Sequence, residues 1–207
     1  MIKNQPPNFM QIQVNEYDLP DISILDDENW PDYKFFTWSP ERIYLILGQS
    51  NKTEKSLIIE NVIKDSIKVY KRPSGGESVI LTPNTLVIST LIKSEKLENP
   101  AKYFETANKK IIEILSSLGI NNLKQKGISD IAIGEKKILG SSIYRKTNNV
   151  FYHAVLNISE ETDLMEKYLA HPGKEPDYRL GRKHEDFVTS IHAENHKIES
   201  TSIAASF

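Results

Sequence analysis

Gly127 to Ile158, GISDIAIGEKKILGSSIYRKTNNVFYHAVLNI, is the stretch that decides the fold. Its segments DIAIGEKKILGSSIY and NVFYHAVLNI are dense in β-branched and aromatic residues, and Gly134 and the pair Asn148 and Asn149 supply turn chemistry between them. The stretch therefore reads as strands joined by turns. Immediately before it lies the clearest helix, with Asn99 as N-cap and Pro100 at the first helical position. Phe104, Ala107, Ile111, Leu115 and Leu118 share one face of that helix, and Gly119 ends it.

Further towards the amino end, RIYLILG (42–48) reads as a buried strand that stops at glycine. KSLIIENVIKDSI has roughly helical spacing and leads into KVYKRP, a short strand closed by proline. SVIL and TLVISTLI are two β-rich runs separated by the turn TPN, and TDLMEKYLAH is expected to form a short helix. Strands gathered around a few helices, without regular βαβ alternation, predict an α+β fold with a mixed sheet. At 207 residues one domain, 1–207, is expected, with 192–207, which lack clear periodicity, as a loose tail.

The 26 basic residues are balanced by 28 acidic ones, so the positive bias of a dedicated nucleic-acid binder is missing. Absence of cysteine removes disulfides, thiolate metal sites and thiolate nucleophiles, and no metal site is expected. MIKNQPPNFMQIQ has no signal-like apolar core, and no window approaches the roughly 20 apolar residues that span a bilayer. A cytoplasmic protein with no membrane or nucleic-acid partner is the expectation.

Two segments carry candidate chemistry. KRPSGGES (71–78) places Gly75 and Gly76 between two strands, either as an ordinary connection or where backbone must approach a ligand. It is not a P-loop, because no Gly-Lys-Ser/Thr follows it. In the second segment Ser129 and Asp130 enter a strand, and Lys137 is followed after two apolar residues by Gly140, Ser141 and Ser142. Lys136 and Lys137 must point to opposite faces of a strand, so only one can face a site.

These segments, with TW and ILGQSN before them, FYHAVLN after them and DFVTSI near the end, resemble the lipoate-protein ligase and lipoyl or octanoyl transferase family over most of the chain. The resemblance implies a catalytic domain of the class II synthetase and biotin–lipoate ligase kind, with mixed β-sheets and packed helices. It further implies attachment of a lipoyl or octanoyl group to a lysine of a lipoyl carrier domain, on a 2-oxoacid dehydrogenase E2 subunit or a glycine cleavage H protein. Lipoate or octanoate would be the substrate, with ATP and Mg²⁺ used to make an acyl-adenylate. The alternatives are an ATP-independent transferase taking the group from another carrier, and a non-catalytic protein that binds carrier domains.

By that resemblance Lys137 is the catalytic cation, selected over Lys136 by its spacing to Gly140. Arg72, Ser74, Gly75, Gly76, Glu77, Asp130, Gly140, Ser141 and His153 are the implied ligand-binding set. Arg72 is a phosphate or carboxylate partner or else a solvated charge; His153 is a site residue or a hydrogen-bonded packing residue. Asp130 orients backbone or ligand, or is a turn acceptor, and the cluster Arg179, Arg182, Lys183 and His184 meets an acidic carrier, a ligand phosphate or only solvent.

The family usually has a third glycine where this chain has Glu77, and a histidine and an aspartate roughly where it has Leu81 and Thr82. Glu77 then points outward, holds Mg²⁺, or repels an adenylate so that Glu77→Gly gains affinity; the gain is the favoured expectation. Many complete ligases carry a further carboxyl-terminal domain; none is expected within this chain, and a separate one could serve as partner.

Overall fold

The computed structural model describes residues 12–27, 29–96 and 98–207; the first eleven positions, on which most of the leader reading falls, lie outside them. In chain order the elements are β1 (Val14–Glu16), a 3₁₀ turn (Pro20–Asp26), β2 (Phe35–Trp38), β3 (Tyr44–Leu47), α1 (Thr53–Ser56) and α2 (Ile59–Lys64). Next come β4 (Lys68–Lys71), β5 (Val79–Leu81), β6 (Thr85–Lys93), α3 (Pro100–Ser117), β7 (Leu123–Lys126), β8 (Asp130–Ile133), β9 (Lys136–Lys146) and β10 (Asn149–Asn157). The chain closes with α4 (Asp163–Tyr168), a 3₁₀ turn (Asp177–Arg179), α5 (His184–Phe187) and α6 (Ser200–Ala204).

Two sheets form, in the orders β1-β4-β3-β5 and β2-β6-β10-β9-β8-β7. The larger is antiparallel throughout. The smaller is mixed, because β3 pairs parallel with β4 and antiparallel with β5. The expected α+β architecture is present.

Residue alternation gives the large sheet two different faces. On one, Leu86 and Ile88 of β6 and Tyr152 and Leu156 of β10 pack under α3 through Tyr103, Ala107, Ile111 and Leu115. Each such leucine or isoleucine contributes about 1.5–3 kcal/mol when fully buried. α3 begins and ends as its sequence requires: Asn99 Oδ1 accepts from the Ala101 N–H at 3.0 Å, and Gly119 takes φ +86° just past the end.

The other face carries Val87, Ser89, His153 and Val155, and the small sheet lies on that side, with Ile46, Tyr70 and Leu81 in a shared cluster with Val87. The cleft opens between these two walls.

The carboxyl-terminal stretch corrects the expectation of a loose tail. α6 buries Ile203 completely, Ile198 and Ala204 pack on the main core, and the Phe207 ring meets Phe35 edge-on at 5.3 Å. These contacts are too widely spaced to produce a periodic sequence pattern, yet all of them join the main core, and Phe207 reaches the edge strand β2.

Candidate functional site

The β8–β9 pairing contains an irregularity that builds the site. Asp130 pairs with Gly140 and Ile131 with Leu139, but Ala132 pairs with Lys137, so Ile138 is an extra residue on β9. Strict alternation would put Lys137 and Gly140 on opposite faces. The bulge returns both to the face that carries Asp130. There Lys137 Nζ lies 2.9 Å from Asp130 Oδ1, and a β-carbon at Gly140 would come within 2.5 Å of that Nζ. Gly140 is thus the space the lysine tip occupies. Lys136, at the exposed start of β9, does not line the cleft.

Asp130 is almost fully buried, and its second oxygen accepts from the Tyr178 hydroxyl at 2.9 Å. Burial, then Asp130 itself, raise the Tyr178 pKa, which keeps that hydroxyl a donor. Ser141 donates to the Ser129 carbonyl at 2.6 Å, bracing the entrance to β8. Ser142, its neighbour on the opposite face, instead donates to the Gly75 carbonyl at 2.8 Å and joins the large sheet to the glycine turn.

That turn is built around Arg72. Its guanidinium is buried and donates to Ser74 Oγ (3.0 Å) and to the Gly75 (2.7 Å), Glu77 (2.8 Å) and Ile46 (3.4 Å) carbonyls. Burial lowers its pKa to about 10, which leaves it cationic at neutral pH. Arg72 therefore serves first as the scaffold of the turn, with most of its donors engaged.

The two glycines differ. Gly76 lies at φ +85°, and a β-carbon there would sit 3.2 Å from Arg72 Nη2; a β-carbon at Gly75 meets no protein atom within 4 Å. Gly76→Ala should consequently lose about 1 kcal/mol or more in a thermal melt. Gly75→Ala should melt as the parent does, and equal losses would contradict this assignment.

Glu77 lines the cleft rather than pointing outward. Oε1 accepts from the Lys174 backbone N–H at 3.0 Å and Oε2 from the Asn51 amide at 3.3 Å. Among the described residues no group of three or more His, Asp or Glu side chains is placed to hold a metal ion.

His153 is both a packing and a site residue. Nε2 lies 2.6 Å from Ser74 Oγ, and Nδ1 lies 3.7 Å from Asp21 Oδ2. Asp21 is fully buried and accepts from Tyr17 (2.9 Å), Trp38 (3.2 Å) and Ser89 (2.8 Å). The series Asp21, His153, Ser74 has the order of a nucleophilic triad, but Ser74 is only 1% exposed, accepts from Arg72 and does not line the cleft. It acts as a strut that ties the glycine turn to the large sheet.

Burial lowers the His153 pKa, with Asp21 opposing, so the native ring is neutral. Its contribution is complete above the unfolded-state value of about 6.5 and is lost as pH falls towards and through the lower native value. Burial also lowers His184, so both add to the acid-side loss. In urea melts at stepped pH, His153→Gln should show a shallower fall in stability below pH 6 or so than the parent; an unchanged slope would contradict a buried neutral His153.

The third wall is the segment 170–188. Arg179 stacks on Phe187 at 4.8 Å, donates from Nε to the Arg182 carbonyl at 2.9 Å, and has its Nη2 buried without a partner. Arg182 stacks on the same ring at 5.2 Å, and His184 Nδ1 lies 3.3 Å from Glu166. Lys183 stays in solvent. The cluster is therefore divided between structure and surface.

Together these walls enclose a cleft of about 1250 Å³ that Lys137, Asp130, Gly140, Gly76, Glu77 and Arg179 all line. Its lining includes Ile46, Val79, Leu81, Val87 and Val155, giving an apolar floor, and of its lysines Lys137 is the one paired with Asp130. Such a site can take an apolar chain that ends in a carbonyl or anion. Sequence reading named Ser142 without a role and overlooked Asp21 and Tyr178, which are joined to the site only by the fold.

Residues 22–207 match the family model of the lipoyl protein ligase A/B catalytic domain. The chain is 26% identical over 125 residues to the probable lipoate-protein ligase A of Mycoplasma pneumoniae, covering 60% of this chain and 36% of that protein. It is also 26% identical over 135 residues to lipoate–protein ligase 1 of Staphylococcus aureus, covering 65% and 40%. The chain thus spans less than half the length of these two relatives. Among solved structures, the bi-partite lipoate protein ligase of Thermoplasma acidophilum, described with its E2 lipoyl domain, superposes with a TM-score of 0.76 at 19% identity, covering 90% of this chain and 72% of that one. This likeness extends to the fold.

Proposed function

Because the chain belongs to the lipoyl protein ligase A/B catalytic domain family, we propose that it places a lipoyl or octanoyl group on a lysine of a lipoyl carrier domain, taking it from an activated donor such as lipoyl-adenylate. The observation that carries this reading is the setting of Lys137: held by Asp130, it lines the same cleft as an apolar floor and Gly76 of the glycine turn.

The chemistry explains why activation is needed. A carrier lysine with a pKa near 10.4 is neutral in only about one molecule in a few thousand at pH 7. An ordinary carboxylate would not yield to so scarce a nucleophile. In the proposed step the neutral amine attacks the acyl carbonyl, its proton passes to solvent, and the acyl–phosphate bond breaks to release AMP. The Lys137 ammonium stands where it can stabilise the oxyanion that develops. Asp130 and Tyr178 hold it there, and Gly140 leaves it room. Gly76 presents backbone beside the acyl group, while Gly75, which does not line the cleft, ties the turn to Arg72 and Ser142, and Ser74 with His153 keeps it in register. ATP and Mg²⁺ would be needed to make the adenylate.

An ATP-independent transfer from another acylated carrier is the second reading, favoured by the Glu77 carboxylate in the cleft, where a donor without a phosphate meets no repulsion. The test supplies an apo carrier domain with lipoate and MgATP, with presynthesised lipoyl-adenylate, or with an octanoylated donor protein, and reads the carrier by mass spectrometry. Modification from adenylate faster than from lipoate and ATP is the expected result. Modification from the donor protein alone would select the second reading, and none from any donor would refute both.

A further inference from the structure

Residues 171–176 cross one side of the cleft with little to hold them. Gly173, Lys174 and Glu175 face solvent, and no helix or strand forms between Tyr168 and the turn at Asp177. Among the described residues, one hydrogen bond ties 171–176 to the glycine turn, the Lys174 N–H to Glu77 Oε1; its other ties run to the residues that follow, from the Arg179 N–H to the Pro176 carbonyl (2.8 Å) and from the Gly181 N–H to Glu175 Oε1 (2.8 Å), with Arg179 Nε 3.5 Å from Glu175 Oε2. The carboxylate that accepts it is itself fixed. Its Oε2 takes the Asn51 amide, and Asn51 Oδ1 accepts from the Gly48 N–H (2.9 Å) and the Ser78 hydroxyl (3.1 Å).

We propose that Glu77 is a positioning residue that fastens the 171–176 strap to the glycine turn and so sets Tyr178 and Arg179 beside Lys137. The strap continues directly into Tyr178, whose hydroxyl holds Asp130, and into the buried Arg179. A glycine at position 77 has no side-chain acceptor for the Lys174 N–H, so the strap would then rely on Glu175, which meets His171 at 3.2 Å, Arg179 at 3.5 Å and the Gly181 N–H at 2.8 Å. Segments held by so few buried contacts open locally at low cost. Losing one charge-assisted bond of this kind changes such an opening equilibrium by about tenfold or more.

The consequence for catalysis rests on the function proposed above. A loosened strap weakens the hold on the acyl donor more than it slows the chemical step, since Lys137 keeps its own contact with Asp130. Glu77→Ala and Glu77→Gln separate this role from a purely electrostatic one. Both remove the charge, but the glutamine carbonyl can still accept from Lys174 at the expense of the Asn51 bond, whereas alanine accepts from neither.

The experiment measures backbone hydrogen exchange of 171–179 in the full chain, beside KM and kcat with lipoyl-adenylate and an apo carrier domain. Exchange should rise about tenfold in Glu77→Ala and clearly less in Glu77→Gln, which keeps a neutral acceptor for the Lys174 N–H. KM for the adenylate should follow the same order with kcat nearly constant. Parental exchange in Glu77→Ala would overturn the proposal, as would a KM that changes equally in both variants, because that outcome assigns the effect to charge. If the parent transfers nothing, the functional reading fails, and the exchange data still decide whether Glu77 fastens the strap.

Discussion

Replacing Lys137 with alanine is expected to lower acyl transfer to a carrier lysine about 100-fold or more, the usual loss when a donor to a developing oxyanion is removed. The fold should survive. Lys137 is partly exposed, its stem fills no core cavity, and Asp130 keeps the Tyr178 hydroxyl while water reaches its other oxygen through the cleft. Lys136→Ala is the matched control, since this neighbour has the same chemistry but does not line the cleft. Single-turnover transfer from presynthesised lipoyl-adenylate, measured with a thermal melt, checks both variants. Full activity in Lys137→Ala would remove the lysine from the mechanism, whatever the behaviour of Lys136→Ala.

The second large effect is expected at Gly48, which no catalytic argument names. A β-carbon there would come to 2.0 Å from the Gly76 carbonyl oxygen and 2.9 Å from Asn51 Oδ1. The first contact is with backbone, so no rotamer change relieves it. Either the 48–51 turn or the glycine turn has to move, breaking the network that Arg72, Ser74, Ser142 and Glu77 share. Overpacking of this kind costs about 2–3 kcal/mol, which for a chain of this size lowers the melting temperature by about 5–10 °C. Transfer should fall with it, because the displaced turn lines the same cleft as Lys137. A Gly48→Ala protein that melts and transfers like the parent would show that the two turns do not pack as described.

The legible parts of the molecule were those in which neighbouring residues carry the whole signal. Asn99, Pro100 and Gly119 mark the ends of α3 because caps and positive φ are local requirements. The β8–β9–β10 strands were readable because Gly134 and the asparagine pair make their turns within the segment. Lys137 was chosen over Lys136 from alternation together with a family spacing. Alternation alone would have put Gly140 on the wrong face, and only the extra residue at Ile138 reconciles the two. Asp21 could not be found, since it reaches His153 and Ser89 across two strands that are distant in sequence. Arg72 was read as a ligand partner because a guanidinium beside glycines suits an anion, yet its nearest acceptors are the carbonyls of its own turn. Glu77 was weighed as a charge, whereas its contacts are those of a hydrogen-bond acceptor.

The central claim is that this cleft passes an acyl group to a lysine of a carrier domain. The most direct measurement is the intact mass and peptide map of an apo lipoyl domain after incubation with the chain and lipoyl-adenylate. The account predicts one added lipoyl group on one lysine, absent when that lysine is arginine and strongly reduced with the Lys137→Ala protein. Modification at the same rate without the chain, or with Lys137→Ala in its place, would contradict it.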